Sequence, residues 1–227
     1  RSLADEDLIV ALEAASEAGD IIRDAFEGTT AIWEKGVGDL VSEVDEQADE
    51  VITNRLRSHD KTADLLSEEL QPDKDIRNSE KAWIIDPLDA TSGFLFRTGR
   101  NISSVMIALR KHATLHLGIV YFPLTDEWFY AVRGKGAYKN GQLLSVGHAA
   151  TTLRESWVDM NQYGDASFET PAFAVLRERL RSSGGARLVT SQTPHSGVVM
   201  RILEGDQRLS AVIHDNNPKK VKQAPWD

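Results

Sequence analysis

Apolar residues recur at helical spacing along the opening of the chain: Leu8, Ile9, Leu12, Ala15, Ile21, Ile22, Ala25 and Phe26. This period predicts one long amphipathic helix, and Gly28 supplies a stop just beyond it. Val44, Ala48, Val51, Ile52 and Leu56 predict a second helix from about Glu43 to Leu56. The texture then changes. Ala63-Asp64-Leu65-Leu66 and Lys81-Ala82-Trp83-Ile84-Ile85 are short apolar runs that each lead into carboxylates, as buried strands do where a sheet meets a site. Ser103–Leu109, Leu115–Tyr121 and Glu127–Val132 read as antiparallel strands, and Asn140-Gly141 as a tight hairpin, because both residues tolerate positive φ. The last third alternates. Ser156–Asn161, Arg187–Thr190 and Leu209–Ile213 are strands, with helices at Pro171–Arg181 and Ser196–Glu204 between them. No internal repeat or linker interrupts the pattern. It predicts an α/β protein of alternating helix and sheet layers: one domain over residues 1–227, in two intimate lobes of roughly 1–147 and 148–227.

Composition narrows the function. The chain has 227 residues, 41% of them hydrophobic, enough for one substantial core. It has no run of about 18 apolar residues, so no membrane span is expected. Cysteine is absent, which excludes disulfides, thiolate-bound zinc and thiol nucleophiles. A cytoplasmic protein is the expectation. The net charge of −9, with no basic stripe, argues against a nucleic-acid polymer as partner. An acidic protein can still bind a small phosphorylated metabolite if metal ions reverse the local charge. Other phosphate and ester chemistries lack their motifs. There is no P-loop, and Arg133-Gly134-Lys135-Gly136 reads as a hairpin turn. There is no G-x-S-x-G, and the six histidines show no zinc spacing.

Carboxylates are what remain. Asp39 and Asp45 flank Leu40-Val41-Ser42-Glu43-Val44; Glu68 and Glu69 follow Ser67; Asp86 and Asp89 flank Pro87-Leu88; and Asp227 follows Trp226. Taken singly, Asp39 reads as a turn residue, Asp45 as an acid near a helix start and the Glu pair as a solvated loop. Asp86-Pro87-Leu88-Asp89 is harder to explain blandly. It follows a buried strand, Pro87 fixes the backbone, and Asp89-Ala90-Thr91 has the form of a helix start. Two carboxylates on such a rigid turn can hold two cations about 4 Å apart, with the Leu88 carbonyl between them. Oxygen-only donors suit magnesium or manganese.

Together these stretches resemble the inositol monophosphatase superfamily. Trp83-Ile84-Ile85-Asp86-Pro87-Leu88-Asp89-Ala90-Thr91 is similar to its Asp-Pro-(Ile/Leu)-Asp-Gly-Thr signature after an apolar strand. Asp39-Leu40-Val41-Ser42-Glu43-Val44-Asp45, Ser67-Glu68-Glu69 and Pro225-Trp226-Asp227 match three further motifs, in family order and across nearly the whole chain. The resemblance implies the layered α-β-α-β-α sandwich shared with fructose-1,6-bisphosphatase, a homodimer, and lithium sensitivity. It also implies roles. Glu68, Asp86, the Leu88 carbonyl, Asp89 and Asp227 would coordinate two or three magnesium ions, with manganese as a substitute. Thr91, hydrogen-bonded to Asp45, would orient and deprotonate a metal-held water, and Glu68 would share that water's metal. Backbone donors of Ala90 and Thr91 would meet the phosphate of a substrate bound also through Asp89 and Asp227. The implied reaction is hydrolysis of a phosphate monoester, of the inositol monophosphate type.

The departures bear on substrate and rate. Ala90 stands where the family carries Gly; if the position needs positive φ, the methyl adds strain of about 1 kcal/mol or more. Lys220, one of a group with Lys219 and Lys222, lies near where inositol-specific members carry an acid. A cation there suits a second anionic group, or is simply part of a solvated basic loop. Ser67 before the Glu pair also resembles the 3′(2′),5′-bisphosphate nucleotidase branch, so that activity or a sugar bisphosphatase is the alternative. An alternative of another class is a catalytically silent, metal-binding regulatory homologue. Thr190 to Gly197 could bind substrate oxygens through a helix start, or Ser196 could cap that helix. Family members extend beyond the position of Asp227, so the chain is expected to continue.

Overall fold

A computed structural model of the protein describes residues 5–28, 31–36, 39–70, 74–97, 103–145, 152, 156–161, 171–182, 187–189, 195–204 and 211–214. The first helix, α1 (Glu6–Phe26), ends just before Gly28, as expected. Asp5 is its N-cap and accepts from the Leu8 N–H. Glu6 and Asp7 in the first turn and Arg23 in the last complement the helix dipole. A hairpin, β1 (Ile32–Gly36) and β2 (Asp39–Ser42), then leads into α2 (Glu43–His59). Ser42 is the N-cap of α2, and its backbone N–H donates back to the Asp45 carboxylate at 2.8 Å, the reciprocal arm of a capping box.

Next come β3 (Asp64–Ser67), β4 (Lys81–Asp89) and the short α3 (Thr91–Phe96). An antiparallel run follows: β5 (Ser104–Lys111), β6 (Thr114–Phe122), β7 (Glu127–Val132), β8 (Gly136–Lys139) and β9 (Gln142–Leu143). These strands form one seven-stranded sheet in the order β3-β4-β5-β6-β7-β8-β9. Only the β3–β4 pair is parallel. Asn140 (φ 46°) and Gly141 (φ 82°) form the two-residue turn between β8 and β9.

The core lies between this sheet and the two long helices. From α1, Leu8, Ala11, Ala15, Ala18 and Ile22 are buried; from α2, Val44, Ala48, Ile52 and Leu56. They join Trp83 and Ile85 of β4, Val105, Ile107 and Leu109 of β5, and Leu117, Ile119 and Tyr121 of β6 in one apolar cluster. Every second residue of each strand contributes, as the period of two requires. The small alanines of α1 let the helices and sheet approach closely.

Gly19 marks the tightest approach. A Cβ there would sit 2.4 Å from Cε1 of Tyr121. That ring cannot swing aside: its hydroxyl bonds Arg23 and Asp126, and Trp128 stacks on it at 3.5 Å between centroids. An alanine inside a helix normally adds about 0.5–1 kcal/mol over glycine. Gly19→Ala therefore has the opposite sign here and lowers stability by about 1–3 kcal/mol, measured by urea unfolding.

The start of α1 is tied to the sheet by charge. Asp7 pairs with Lys81 (2.8 Å), Lys111 (2.8 Å) and His59 (3.1 Å), and Asp5 with His116 (3.2 Å). Asp5, Asp7 and His116 lie close enough to chelate an ion, but lysine ammonium groups already bond both oxygens of Asp7. Burial alone would raise the Asp7 carboxyl; bonds from Lys111, Lys81 and His59 overcome it and bring the value down to about 2. A depressed carboxyl stabilises the fold above its unfolded value near pH 4, and that contribution is lost as the pH falls from about 4 towards 2. Asp7→Asn is expected to cost about 1–2 kcal/mol in urea unfolding at pH 7, with the gap to wild type closing below pH 4.

The described residues divide into two compact units, those up to Leu143 in the first and those from Leu144 in the second. In the second, β10 (Trp157–Asn161), α4 (Pro171–Ser182), β11 (Arg187–Val189), α5 (His195–Leu203) and β12 (Ala211–His214) alternate as predicted. Its three strands run parallel in the order β11-β10-β12. No helix among the described residues is long and apolar enough to cross a membrane.

Two local expectations change. Ile32–Gly36 and Asp39–Ser42 pair as antiparallel strands, and Asp39 opens β2 rather than occupying a turn. Ile32-Trp33-Glu34-Lys35-Gly36 has no alternation from which a strand could be read. Asp86-Pro87-Leu88-Asp89 also belongs to β4 itself, rather than to a turn after it.

Candidate active site

The strand that carries this motif is bulged, and the bulge builds the site. Pro87 has no N–H to give to β5, so the ladder breaks there. Asp86 pairs with Met106 and Asp89 with Ser104, leaving Pro87 and Leu88 opposite Val105 alone. Residues three apart on a regular strand point to opposite faces. The extra residue restores parity, so Asp86 and Asp89 share the sheet face of Met106 and Ser104. Both are buried, and the Ser104 hydroxyl lies 3.4 Å from the Asp89 carboxylate. The Leu88 N–H donates to Asp86 at 3.1 Å, which holds the bulge in shape.

Glu68 arrives from the neighbouring strand. β3 runs parallel to β4 with Ser67 opposite Ile85, and the Glu68 N–H donates to the Ile85 carbonyl at 3.2 Å. Glu68 therefore leaves β3 beside the Asp86 end of β4, partly buried.

Beyond Asp89 the chain turns through Ala90, whose φ of 65° and ψ of 53° are left-handed. Its carbonyl accepts the Phe94 N–H and so starts α3. The Thr91 hydroxyl donates to Asp45 at 2.7 Å and lies 3.2 Å from the Leu88 carbonyl. Asp45 is buried, and its other oxygen accepts from the Ser42 N–H and hydroxyl. Burial pushes the Asp45 carboxyl above the usual carboxylate range, against the opposing hydrogen bonds from Ser42 and Thr91.

The left-handed turn confirms that Ala90 occupies a position suited to glycine. L-residues there cost about 1–2 kcal/mol, while glycine loses some of this advantage through backbone entropy. Ala90→Gly is expected to raise stability by about 0.5–1 kcal/mol in urea unfolding; a loss would mean that the turn is not strained.

Asp45, Glu68, Asp86, Leu88, Asp89, Ala90 and Thr91 thus come together around the ends of β3 and β4. A donor set of carboxylates and a carbonyl is of the kind that suits a hard divalent cation, and Asp45, Asp86 and Asp89 are all buried. Lys220, Asp227 and Thr190 to Pro194 lie outside the described residues. Ser196 is buried one place inside α5, which starts at His195, so it is not that helix's cap.

Sequence reasoning missed Asp49. It is fully buried on α2, one turn beyond Asp45, and one oxygen accepts the N–H groups of Glu69 (3.1 Å) and Leu70 (2.9 Å). The available signal was an acid at i+4 from Asp45 on the face that carries Val44, Ala48 and Ile52.

Known proteins resemble this arrangement in sequence and fold. Inositol monophosphatase 1 of Solanum lycopersicum is 37% identical over 145 residues, 63% of this chain and 52% of the relative. Nus factor SuhB of Haemophilus influenzae is 37% identical over 141 residues, 61% of this chain and 52% of the relative. The chain thus matches about half the length of these curated relatives. The solved structure of the extragenic suppressor protein suhB from Bartonella henselae superposes with a TM-score of 0.78 at 25% identity, covering 93% of this chain and 79% of that one. The expected α/β sandwich is therefore the observed fold class. The sequence model of the inositol monophosphatase family matches residues 3–195. On fold, motif order and sequence, the chain belongs to the inositol monophosphatase family.

Proposed function

We propose that the chain is a magnesium-dependent phosphomonoesterase acting on a small phosphorylated metabolite, most simply of the inositol monophosphate type. The observation that carries this reading is the Thr91–Asp45 hydrogen bond, set beside the buried Asp86 and Asp89. Because the Thr91 hydroxyl gives its proton to Asp45, its lone pairs are left to accept a proton from water. Asp45, with its carboxyl held above the ordinary range by burial, is poised to take that proton onward through Thr91. Water and phosphorus then need only in-line alignment, so no covalent nucleophile is required.

Glu68, Asp86, the Leu88 carbonyl, Asp89 and Asp227 would hold the magnesium or manganese ions. Bound there, such ions neutralise phosphate charge and lower the pKa of water. The backbone N–H groups of Ala90 and Thr91 would meet phosphate oxygens. The intact Thr91–Asp45 pair supports an enzyme over a catalytically silent regulatory homologue, the alternative that the Nus factor relative raises. Lys220 keeps a second anionic group in contention, as in a 3′(2′),5′-bisphosphate nucleotide or a sugar bisphosphate. A homodimer and inhibition by lithium belong to the same proposal.

Phosphate release from inositol 1-phosphate, 3′-phosphoadenosine 5′-phosphate and fructose 1,6-bisphosphate tests the substrate class. The inositol reading expects the first to turn over fastest, with Lys220→Asp leaving that rate within a few-fold. A preference for either bisphosphate that Lys220→Asp abolishes would replace it.

A further inference from the structure

We infer that Asp49 is the positioning residue for Glu68, and that the affinity of the site for a divalent cation depends on it. This rests on the reading of Glu68 as a metal ligand. Glu68 is the first residue after β3, in a turn that runs through Leu70. Past its first residue the turn lies beyond the β3–β4 pairing, so its shape depends on contacts from outside the sheet. On one side, the Glu68 N–H is held by the Ile85 carbonyl of β4. On the other, Asp49 receives the next two N–H groups of the turn, those of Glu69 and Leu70, on a single carboxylate oxygen. Three consecutive amides, those of Glu68, Glu69 and Leu70, are thereby pinned.

The anchor is well placed to be rigid. Asp49 sits on α2 between the buried Ala48 and Ile52, and is itself fully buried. Asp45, one turn earlier on α2, holds Thr91. One rigid helix therefore fixes both the group proposed to accept a proton and the turn proposed to present a ligand. Coordinating groups need placement within about 0.5 Å, and removing the outer groups that orient ligands typically weakens metal binding about 10- to 100-fold. A buried carboxylate is an expensive way to cap a turn that could simply be solvated, and charge-assisted bonds to two amides give it a purpose.

The test is the dissociation constant of Mn2+ by electron paramagnetic resonance, with amide hydrogen exchange of residues 68–70, in the metal-free and the Mn2+-loaded protein. Asp49→Ala is expected to speed exchange at Glu69 and Leu70 and to weaken Mn2+ binding about 10- to 100-fold. Asp49→Asn keeps an acceptor oxygen and is expected to recover most of that affinity. Urea unfolding confirms that each variant is folded at the assay temperature. Unchanged Mn2+ affinity in a folded Asp49→Ala, beside a clear loss in Asp89→Asn, would overturn the role of Asp49 and leave the site reading standing. Wild-type protein that binds no Mn2+, or binds it equally after Asp89→Asn, would instead overturn the site reading and this inference with it.

Discussion

Asp45→Asn lowers the turnover number for phosphate release by about 10²- to 10⁴-fold, the span over which a positioned proton acceptor acts. The substitution is nearly isosteric. The amide oxygen can still accept from the Ser42 N–H, which keeps the start of α2, while its NH2 faces the Thr91 hydroxyl, which must turn to accept. What disappears is the capacity to take up a proton. KM changes little, because Asp45 is not among the groups proposed to hold the substrate. Stability holds or rises slightly, since a buried carboxylate under burial strain is replaced by a neutral group. Thr91→Ser keeps the hydroxyl and most of the rate, whereas Thr91→Ala behaves like Asp45→Asn. Steady-state kinetics with inositol 1-phosphate, run beside urea unfolding, separates these effects. A rate within a few-fold of wild type in a folded Asp45→Asn would remove Asp45 from the mechanism.

The second large effect is on stability, at Trp83. This side chain is fully buried at the centre of the helix–sheet core, paired across to Leu109 of β5. Trp83→Ala removes the largest apolar surface in that layer and leaves a cavity, at about 3–5 kcal/mol. Trp83→Phe is a different case. The indole N–H has no hydrogen-bond partner among the described residues, and a buried unpaired donor costs about 1–3 kcal/mol. Removing that donor offsets part of the lost area, so Trp83→Phe is expected to cost under about 1.5 kcal/mol. Urea unfolding of both variants distinguishes the cases. Equal losses would mean that the indole nitrogen is satisfied in solution.

Much of this was legible in the chain because it is written in local periodicity. Leu8 to Phe26 and Val44 to Leu56 carry the helical repeat, and both helices form with those residues at least partly inward, except Ile9, which stands exposed on α1. The antiparallel strands and the Asn140-Gly141 turn follow from alternation and positive φ. The strands and helices of the second unit were read from the alternation of its sequence, whereas their parallel pairing is seen only in the structure. What escaped depends on pairing across distance. The bulge at Pro87 is defined by what stands opposite on β5, so an isolated reading saw a turn. The β1–β2 hairpin lacks alternation and is held by its pairing and by the helix that follows. Asp49 was hidden for a different reason: an acid on an apolar helix face looks like noise until the turn that it holds is seen. For the site, four motifs in order supplied the acids. The left-handed Ala90 and the Thr91–Asp45 bond supplied the geometry that turns a list of residues into an arrangement.

The most direct measurement of the central claim is inorganic phosphate released from inositol 1-phosphate with magnesium, with magnesium chelated, and with magnesium in Asp89→Asn. A metal-assisted phosphomonoesterase built on Asp86 and Asp89 releases phosphate only in the first condition. Release that persists under chelation, or that survives Asp89→Asn at the wild-type rate, would contradict this account of the site.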